Sequence, residues 1–495
     1  MSNVQVADPV TSTRTGSVRG FVEEGQAVFL GIPYAQPPLG ESRFNAPVPA
    51  DPWEGTRDAL AYGPTAPQND PGIAIIPEPV ERGDDFLNLN VYTPDIGDAK
   101  LPVFVWIHGG GFVSGCNRSP WYRGTHFARD GVVVVTIGYR LGIEGFLDID
   151  GAPPNRAVLD WIAALEWVQD NIANFGGDPA KVTIGGQSAG SAACLILLTN
   201  PRAHGLFHRI TAMSGTSDTR MPRDNAKQLT TMIAGHLGVK ESQDELARFS
   251  PDELIAAHTE VAINPFTANA LTSGFDPGAP GLRPFVDGDV IPAHPFREIR
   301  EGNGGNVDLL AGATAEEVTG LLRLQRGAMD EEAARNALSA MGLSGEKLDS
   351  YLAHTGSTDL VEALGQAATD RAFRTPLAQL LDDRAHHTSN TFGYEFKWRS
   401  PSLDGLAGAA HCLDVPFVWD NLGAGRSNMD LLGDAPPQVL ADEMHAAWVG
   451  FITNGDPGWP SYDLERRAVK RFDTPSGVMN DPLGFERELF AKRSA

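Results

Sequence analysis

One serine flanked by glycines raises the chemical question. In "TIGGQSAGSAAC" (Thr183 to Cys194) the stretch Gly186-Gln187-Ser188-Ala189-Gly190 fits G-x-S-x-G, a pattern that exposes a serine hydroxyl on a strained strand-turn-helix. At neutral pH a hydroxyl attacks a carbonyl only with a base to take its proton and donors to hold the developing oxyanion. "HGGGF" (His108 to Phe112) follows an apolar, strand-like run, and its glycines let backbone N–H groups approach a substrate oxygen. The expected oxyanion donors are Gly110, Gly111 and Ala189. A flexible glycine turn would explain the glycines but not their position ahead of the serine. Among 12 histidines, His411 is the expected base, because "GAAHCLDVPFVWDNL" sets it on a loop between small residues and a proline-containing apolar segment. His108, His386, His387 and His445 read as packing or solvated side chains. "DLLAGATAEEVTG" offers Glu316 and Glu317 at a strand end between Ser188 and His411, and the pattern alone does not choose between them.

These residues need elements to hold them. "PVFVWIH" (Pro102 to His108) and "GVVVVTIGY" (Gly131 to Tyr139) are near-continuous apolar, β-branched runs of the kind buried in the middle of a sheet. Val158, Ile162, Leu165, Val168 and Ile172 recur at helical spacing with one buried stripe. "GGDP" (Gly176 to Pro179) is expected to stop that helix, and "KVTIGG" (Lys181 to Gly186) to form a short strand running into Ser188. After the serine, "AGSAACLILL" reads as a helix. Strand-like "VDLLAGA" (Val307 to Ala313) and "TFGYEFKW" (Thr391 to Trp398) surround two stretches, about 224–293 and 328–381, whose polar-faced helices read as insertions rather than an independent domain. The alternation of strand and helix predicts an α/β class.

The composition narrows the partners. The chain has 495 residues and a formal net charge of −24, which repels nucleic-acid backbones and anionic membrane surfaces, so neither is an expected partner. "MSNVQVADPVTSTRTGSVRG" lacks the apolar core of a secretory signal, and no run approaches the roughly 18 apolar residues of a membrane span. A cytoplasmic location is expected. Three cysteines, Cys116, Cys194 and Cys412, are too few for a disulfide framework or a structural zinc site. No pair of histidines shows the i, i+4 spacing of a zinc helix with a nearby acid, so no metal is expected.

Taken in order, longer motifs resemble the type-B carboxylesterase family, the cholinesterase-like branch of the α/β-hydrolases. "FLGIPYAQPPLGESRFNAPVPADPW" (Phe29 to Trp53) and "DDFLNLNVYTP" (Asp84 to Pro94) come first. "WIHGGGF", "YRLGIEGFL" (Tyr139 to Leu147), "WVQDNIANFGGDPAKVTIGGQSAGS", "HCLDVPF" and "FITNGDPGWPSYD" (Phe451 to Asp463) follow, so the similarity runs from about Gly16 to Tyr462. The resemblance implies one α/β-hydrolase domain over 1–495, a central, mostly parallel twisted sheet flanked by helices, with the insertions at 224–293 and 328–381 capping the active site. It also implies that Glu317 is the acid, since the family's glutamate directly follows an acidic residue in a pattern matching Gly312 to Val318.

The function implied is that of a serine carboxylesterase using Ser188, Glu317 and His411 through an acyl-enzyme, with no cofactor and a small-molecule ester as partner, as a monomer or small homo-oligomer. Bacterial members acting on aryl esters, p-nitrobenzyl esters and aryl carbamates look nearest. The same machinery acting mainly on carbamates or amides is the alternative, and a non-catalytic binding protein the remote one. The chain departs from the family's pattern at Gln187 (usually Glu), Ser191 (commonly Gly), Trp161 (usually Gln) and Val318 (usually Gly). Phe86 stands where secreted eukaryotic members have a disulfide cysteine. Phe112, Trp121 and Phe417 are candidate pocket walls, with core packing as the competing reading.

Overall fold

The computed structural model describes residues 8–68, 75–215, 222–261, 281–324, 327, 329–388, 390–427 and 429–490. The N-terminal heptapeptide and 262–280, the latter inside the first expected insertion, lie outside them. The strands are β1 (Val10–Thr13), β2 (Gly16–Arg19), β3 (Phe21–Glu23), β4 (Gln26–Pro33), β5 (Thr56–Asp58), β6 (Asn88–Thr93) and β7 (Leu101–Ile107). They continue with β8 (Val133–Ile137), β9 (Gly177–Gln187), β10 (Arg209–Met213), β11 (Asp308–Thr314), β12 (Thr391–Phe396), β13 (Ala468–Phe472) and β14 (Gly477–Asn480).

Eleven of these strands form one sheet in the order β14-β13-β12-β11-β10-β9-β7-β8-β6-β4-β3, while β1, β2 and β5 make a small separate sheet. Neighbours from β8 across to β13 run parallel, and the outer pairs run antiparallel. Alternate side chains of the central strands enter opposite cores. Val103, Val105 and Ile107 of β7 point into one, with the helix Arg156–Asn171, while Phe104 and Trp106 point into the other, with the helix Gln438–Asn454. This two-sided burial is why β7 and β8 read as unbroken apolar runs.

The helical stripe behaves as its spacing predicts, with Val158, Ile162, Leu165, Val168 and Ile172 all buried. The strand after it differs. "GGDP" does not merely stop the helix: β9 already begins at Gly177, which pairs with Leu101, and a register shift lies between Leu101 and Val103. Local chain-breaking residues are overridden here by pairing with β7, which extends the strand to 11 residues.

Both expected insertions are largely helical where described, with 281–293 irregular. Arg223–Leu237, Gln243–Leu246 and Pro251–Val261 pack on Phe44, Ile143, Leu147 and Ile149 in a satellite cluster. Glu331–Ala340, Glu346–Thr355, Leu360–Thr369 and Thr375–Ala385 bury residues in the same core as the sheet. Among the described residues, no helix is long and apolar enough to cross a membrane.

Candidate active site

Ser188 occupies the turn between β9 and the helix Ala189–Leu198, with φ 56° and ψ −121°. A left-handed φ is costly for a residue with a Cβ, and here the surrounding contacts enforce it. The Ser188 N–H donates to the Met213 carbonyl of β10 at 2.8 Å, and the Ser188 carbonyl accepts from Ala192 N at 3.0 Å. The flanking glycines allow the close approach. A Cβ on Gly190 would stand 1.9 Å from the Ile107 carbonyl oxygen, and one on Gly186 would stand 2.4 Å from the Gly190 backbone. The serine is partly exposed between buried Gln187 and Ala189.

The glycine loop lies against this turn. A Cβ on Gly109 would fall 3.3 Å from the Ser188 Cβ and 2.8 Å from the Gln187 carbonyl oxygen, so this loop could not carry a side chain there. Gly110 and Gly111 have φ 102° and 61°, and the Cβ direction of Gly111 faces open space. His108 anchors the loop instead of joining the chemistry. Its ring stacks on Tyr139 at 4.4 Å, the Tyr139 hydroxyl donates to the His108 carbonyl at 2.8 Å, and burial pushes the imidazole down to about 4. Ala189 is the first residue of its helix, where an N–H has no intrahelical acceptor.

Glu317 and His411 meet although 94 residues apart: the carboxylate Oε2 contacts His411 Nδ1. The other oxygen accepts from Thr314 N at 2.8 Å, and His411 N donates to the Glu317 carbonyl at 3.2 Å, so carboxylate and imidazole are tied at both ends. Burial lowers the affinity of His411 for a proton, but the adjacent Cys412 and Glu317 together outweigh it, and the imidazole lies well above its ordinary value. Burial raises the Cys412 thiol, and the adjacent imidazole draws it down. A second buried carboxyl, Asp414, accepts from the Tyr394 hydroxyl at 2.8 Å, and burial together with the Glu317 charge pushes it up to about 7.

Glu316 points elsewhere. It pairs with Arg323 at 2.7 Å and with Arg399, and accepts from Ala409 N at 2.8 Å. Burial pushes its carboxyl up, but these donors outweigh it and hold the group below its usual range.

Of the three aromatic candidates, Phe112 follows the glycine loop with φ 67° and packs edge-on to Phe146 at 5.1 Å. The other two are core residues and are not carried forward as pocket walls. Phe417 is fully buried against Phe396 and Trp398, and Trp121 is 1% exposed with its indole N–H donating to the Gly425 carbonyl. Packing in the core that includes Trp106, Tyr122 and Trp419 accounts for both. His445 is likewise structural, with its ring nitrogens near the Val418 carbonyl and Asp130.

Three features escaped sequence reasoning. Phe373, from the second insertion, stands with its ring 5.3 Å from that of His411. Gln187 Nε2 lies 3.2 Å from His411 Nε2. Non-glycine residues with positive φ gather here, namely Phe112, Ser188, Ser214 and Cys412. Only Gln187 had a trace in the sequence, as a departure from the family's pattern.

A model of the carboxylesterase family matches residues 7–478. The para-nitrobenzyl esterase of Bacillus subtilis (strain 168) is 34% identical over 97% of this chain and 98% of its own length. Phenmedipham hydrolase of Pseudarthrobacter oxydans is 33% identical, covering 94% of this chain and 95% of its own. Among solved structures, a Geobacillus stearothermophilus carboxylesterase matches with a TM-score of 0.84 at 34% identity, over 97% of this chain and 99% of that one.

Proposed function

Because the chain belongs to the carboxylesterase family, it is a carboxylic-ester hydrolase with the α/β-hydrolase fold, and we propose that it works through Ser188, His411 and Glu317 by way of an acyl-enzyme. His411 takes the Ser188 proton as the hydroxyl oxygen attacks the ester carbonyl, and the oxyanion rests on the N–H groups of Gly110, Gly111 and Ala189. The imidazolium returns the proton to the leaving alkoxide. Water then repeats the sequence on the acyl group, and Glu317 holds the imidazole tautomer throughout. No cofactor enters the reaction. The observation that carries this reading is the Glu317–His411 contact, with His411 Nε2 3.2 Å from the amide of Gln187, the residue before a strained, partly exposed Ser188.

The substrate is a small ester, with aryl esters and aryl carbamates as the favoured classes, and support for both comes from the names of the two relatives. Phe112 and Phe373 are proposed walls of the pocket, and the helices of 224–293 and 328–381 its cap within a single domain. The enzyme is proposed to act in the cytoplasm as a monomer or small homo-oligomer. The three free, buried cysteines suit a reducing compartment.

The test is a panel of p-nitrophenyl esters of rising acyl length with an aryl carbamate and an anilide, run on the wild type and on Ser188→Ala. The variant should lose turnover by a factor on the order of 10⁶, the loss seen when a serine nucleophile is removed from subtilisin. Near-wild-type turnover in Ser188→Ala would sink the assignment.

A further inference from the structure

The last residue of β9, Gln187, is completely buried, and its amide Nε2 sits 3.2 Å from Nε2 of His411. Chemistry decides which group donates. Glu317 faces Nδ1, so the neutral imidazole carries its proton there and presents a lone pair at Nε2. An amide N–H₂ can donate to that lone pair, whereas a carboxylate at the same place could not. Among the described residues the amide's own Oε1 is buried with no hydrogen-bond partner, and it faces the glycine loop, where a Cβ on Gly109 would lie 3.2 Å from it. A buried amide that leaves its acceptor unmet while its donor reaches the imidazole is oriented by that contact.

We propose that Gln187 is a positioning residue for His411: its uncharged amide holds the imidazole's Nε2 edge and favours the neutral, proton-accepting form between turnovers, yielding the lone pair to Ser188 as attack begins. The proposal rests on the assignment of Ser188 and His411 as nucleophile and base. No bond is made or broken at Gln187. It competes with the Ser188 hydroxyl for one lone pair, and its lack of charge leaves Glu317 as the anion that stabilises the imidazolium.

The groups facing the imidazole are few. Glu317 hydrogen-bonds to it, Cys412 and Asp414 lie on its own segment, and the Phe373 ring covers it from the second insertion. The Tyr394 hydroxyl meets Asp414 from β12, and Glu316 is neutralised by Arg323 and Arg399. Among the described residues, no hydrogen bond or ion pair brings Lys or Arg to Gln187, so a charge introduced there meets the imidazolium as its compensating partner.

The experiment measures kcat/KM against pH for p-nitrophenyl acetate in the wild type, Gln187→Glu and Gln187→Met, with the downfield imidazole N–H resonances followed by proton NMR. A carboxylate within hydrogen-bond distance favours the charged imidazole by about 1–3 pH units. The acid limb of Gln187→Glu should move up by about one unit or more, a roughly tenfold loss of rate on the acid side. Gln187→Met, which only removes the donor, should fall between the two and lower kcat with KM unchanged. If the glutamate variant does not fold, the methionine variant decides alone. Acid limbs that coincide with the wild type, with any rate loss equal at every pH, overturn the proposal. Ser188→Ala, run alongside, separates the two failures: activity there removes the underlying assignment, whereas an inactive control with unmoved limbs removes only the role of Gln187.

Discussion

Adjacent in the chain, Glu316 and Glu317 carry the same functional group to opposite ends. The carboxylate of Glu317 spends one oxygen on Thr314 N and the other on His411, whereas that of Glu316 is consumed by Arg323, Arg399 and Ala409 N. Glu317→Gln should lower kcat by roughly four orders of magnitude, the loss found when the acid of a serine-protease triad becomes an amide. Glu316→Gln should keep most of the rate and lose thermal stability instead. Ester turnover and a melting curve for each variant check this, and the reverse result would move the acid by one residue. The base must be neutral to accept the Ser188 proton. Cys412 and Glu317 raise the imidazole, so with His411 as the proposed base activity should disappear on acidification through a value above 6.5, the ordinary figure.

At the scale of elements, the helix Arg156–Asn171 does more than cover the sheet. Its Asp160 accepts from Arg140, just beyond β8, through Nε at 2.8 Å and Nη2 at 2.6 Å, and both side chains are 0% exposed. Arg140 also donates to the Asn45 carbonyl at 2.6 Å, so one guanidinium joins an early loop, the sheet and the helix. Such a pair is weak evidence of net stability, but breaking it strands a buried charge. Asp160→Ala is expected to destabilise the fold by about 3–5 kcal/mol, read as a lowered urea midpoint, and a midpoint within experimental scatter of the wild type would contradict it. The same helix carries Trp161, whose ring packs on Phe112, Tyr139 and Phe146. That contact gives the Trp at this position a packing role behind the glycine loop.

For the whole molecule, the charge of −24 acts on stability as well as on partners. Excess negative charge repels itself in the compact state, and salt screens it over a distance that shrinks from about 30 Å at 0.01 M to about 8 Å at 0.15 M. The melting temperature should therefore rise between those two salt concentrations, and a scanning calorimeter or dye-based melt reads it. A falling melting temperature would mean that the surface ion pairs outweigh the repulsion.

Sequence alone settled whatever depends on local period and on residues forced by steric need. The β-branched runs of β7 and β8, the stripe from Val158 to Ile172 and the glycines around Ser188 are legible because a sheet buried on both faces, and a strand-turn-helix in which a Cβ on Gly190 or Gly186 would stand 1.9 to 2.4 Å from backbone atoms, tolerate few other residues. The proposed order Ser188, Glu317, His411 follows the chain order of α/β-hydrolases, with Glu317 preferred to Glu316 through resemblance. Tertiary structure decided what depends on approach between distant segments. The length of β9 came from pairing with β7, and the core positions of Trp121 and Phe417 came from which face of the sheet their loops reach. The pairing of Glu316 with Arg399, of Glu317 with His411 and of Gln187 with His411 likewise depends on contacts across 83 to 224 residues of chain. A side chain's type constrains what it can donate or accept, but only the closed fold chooses the partner.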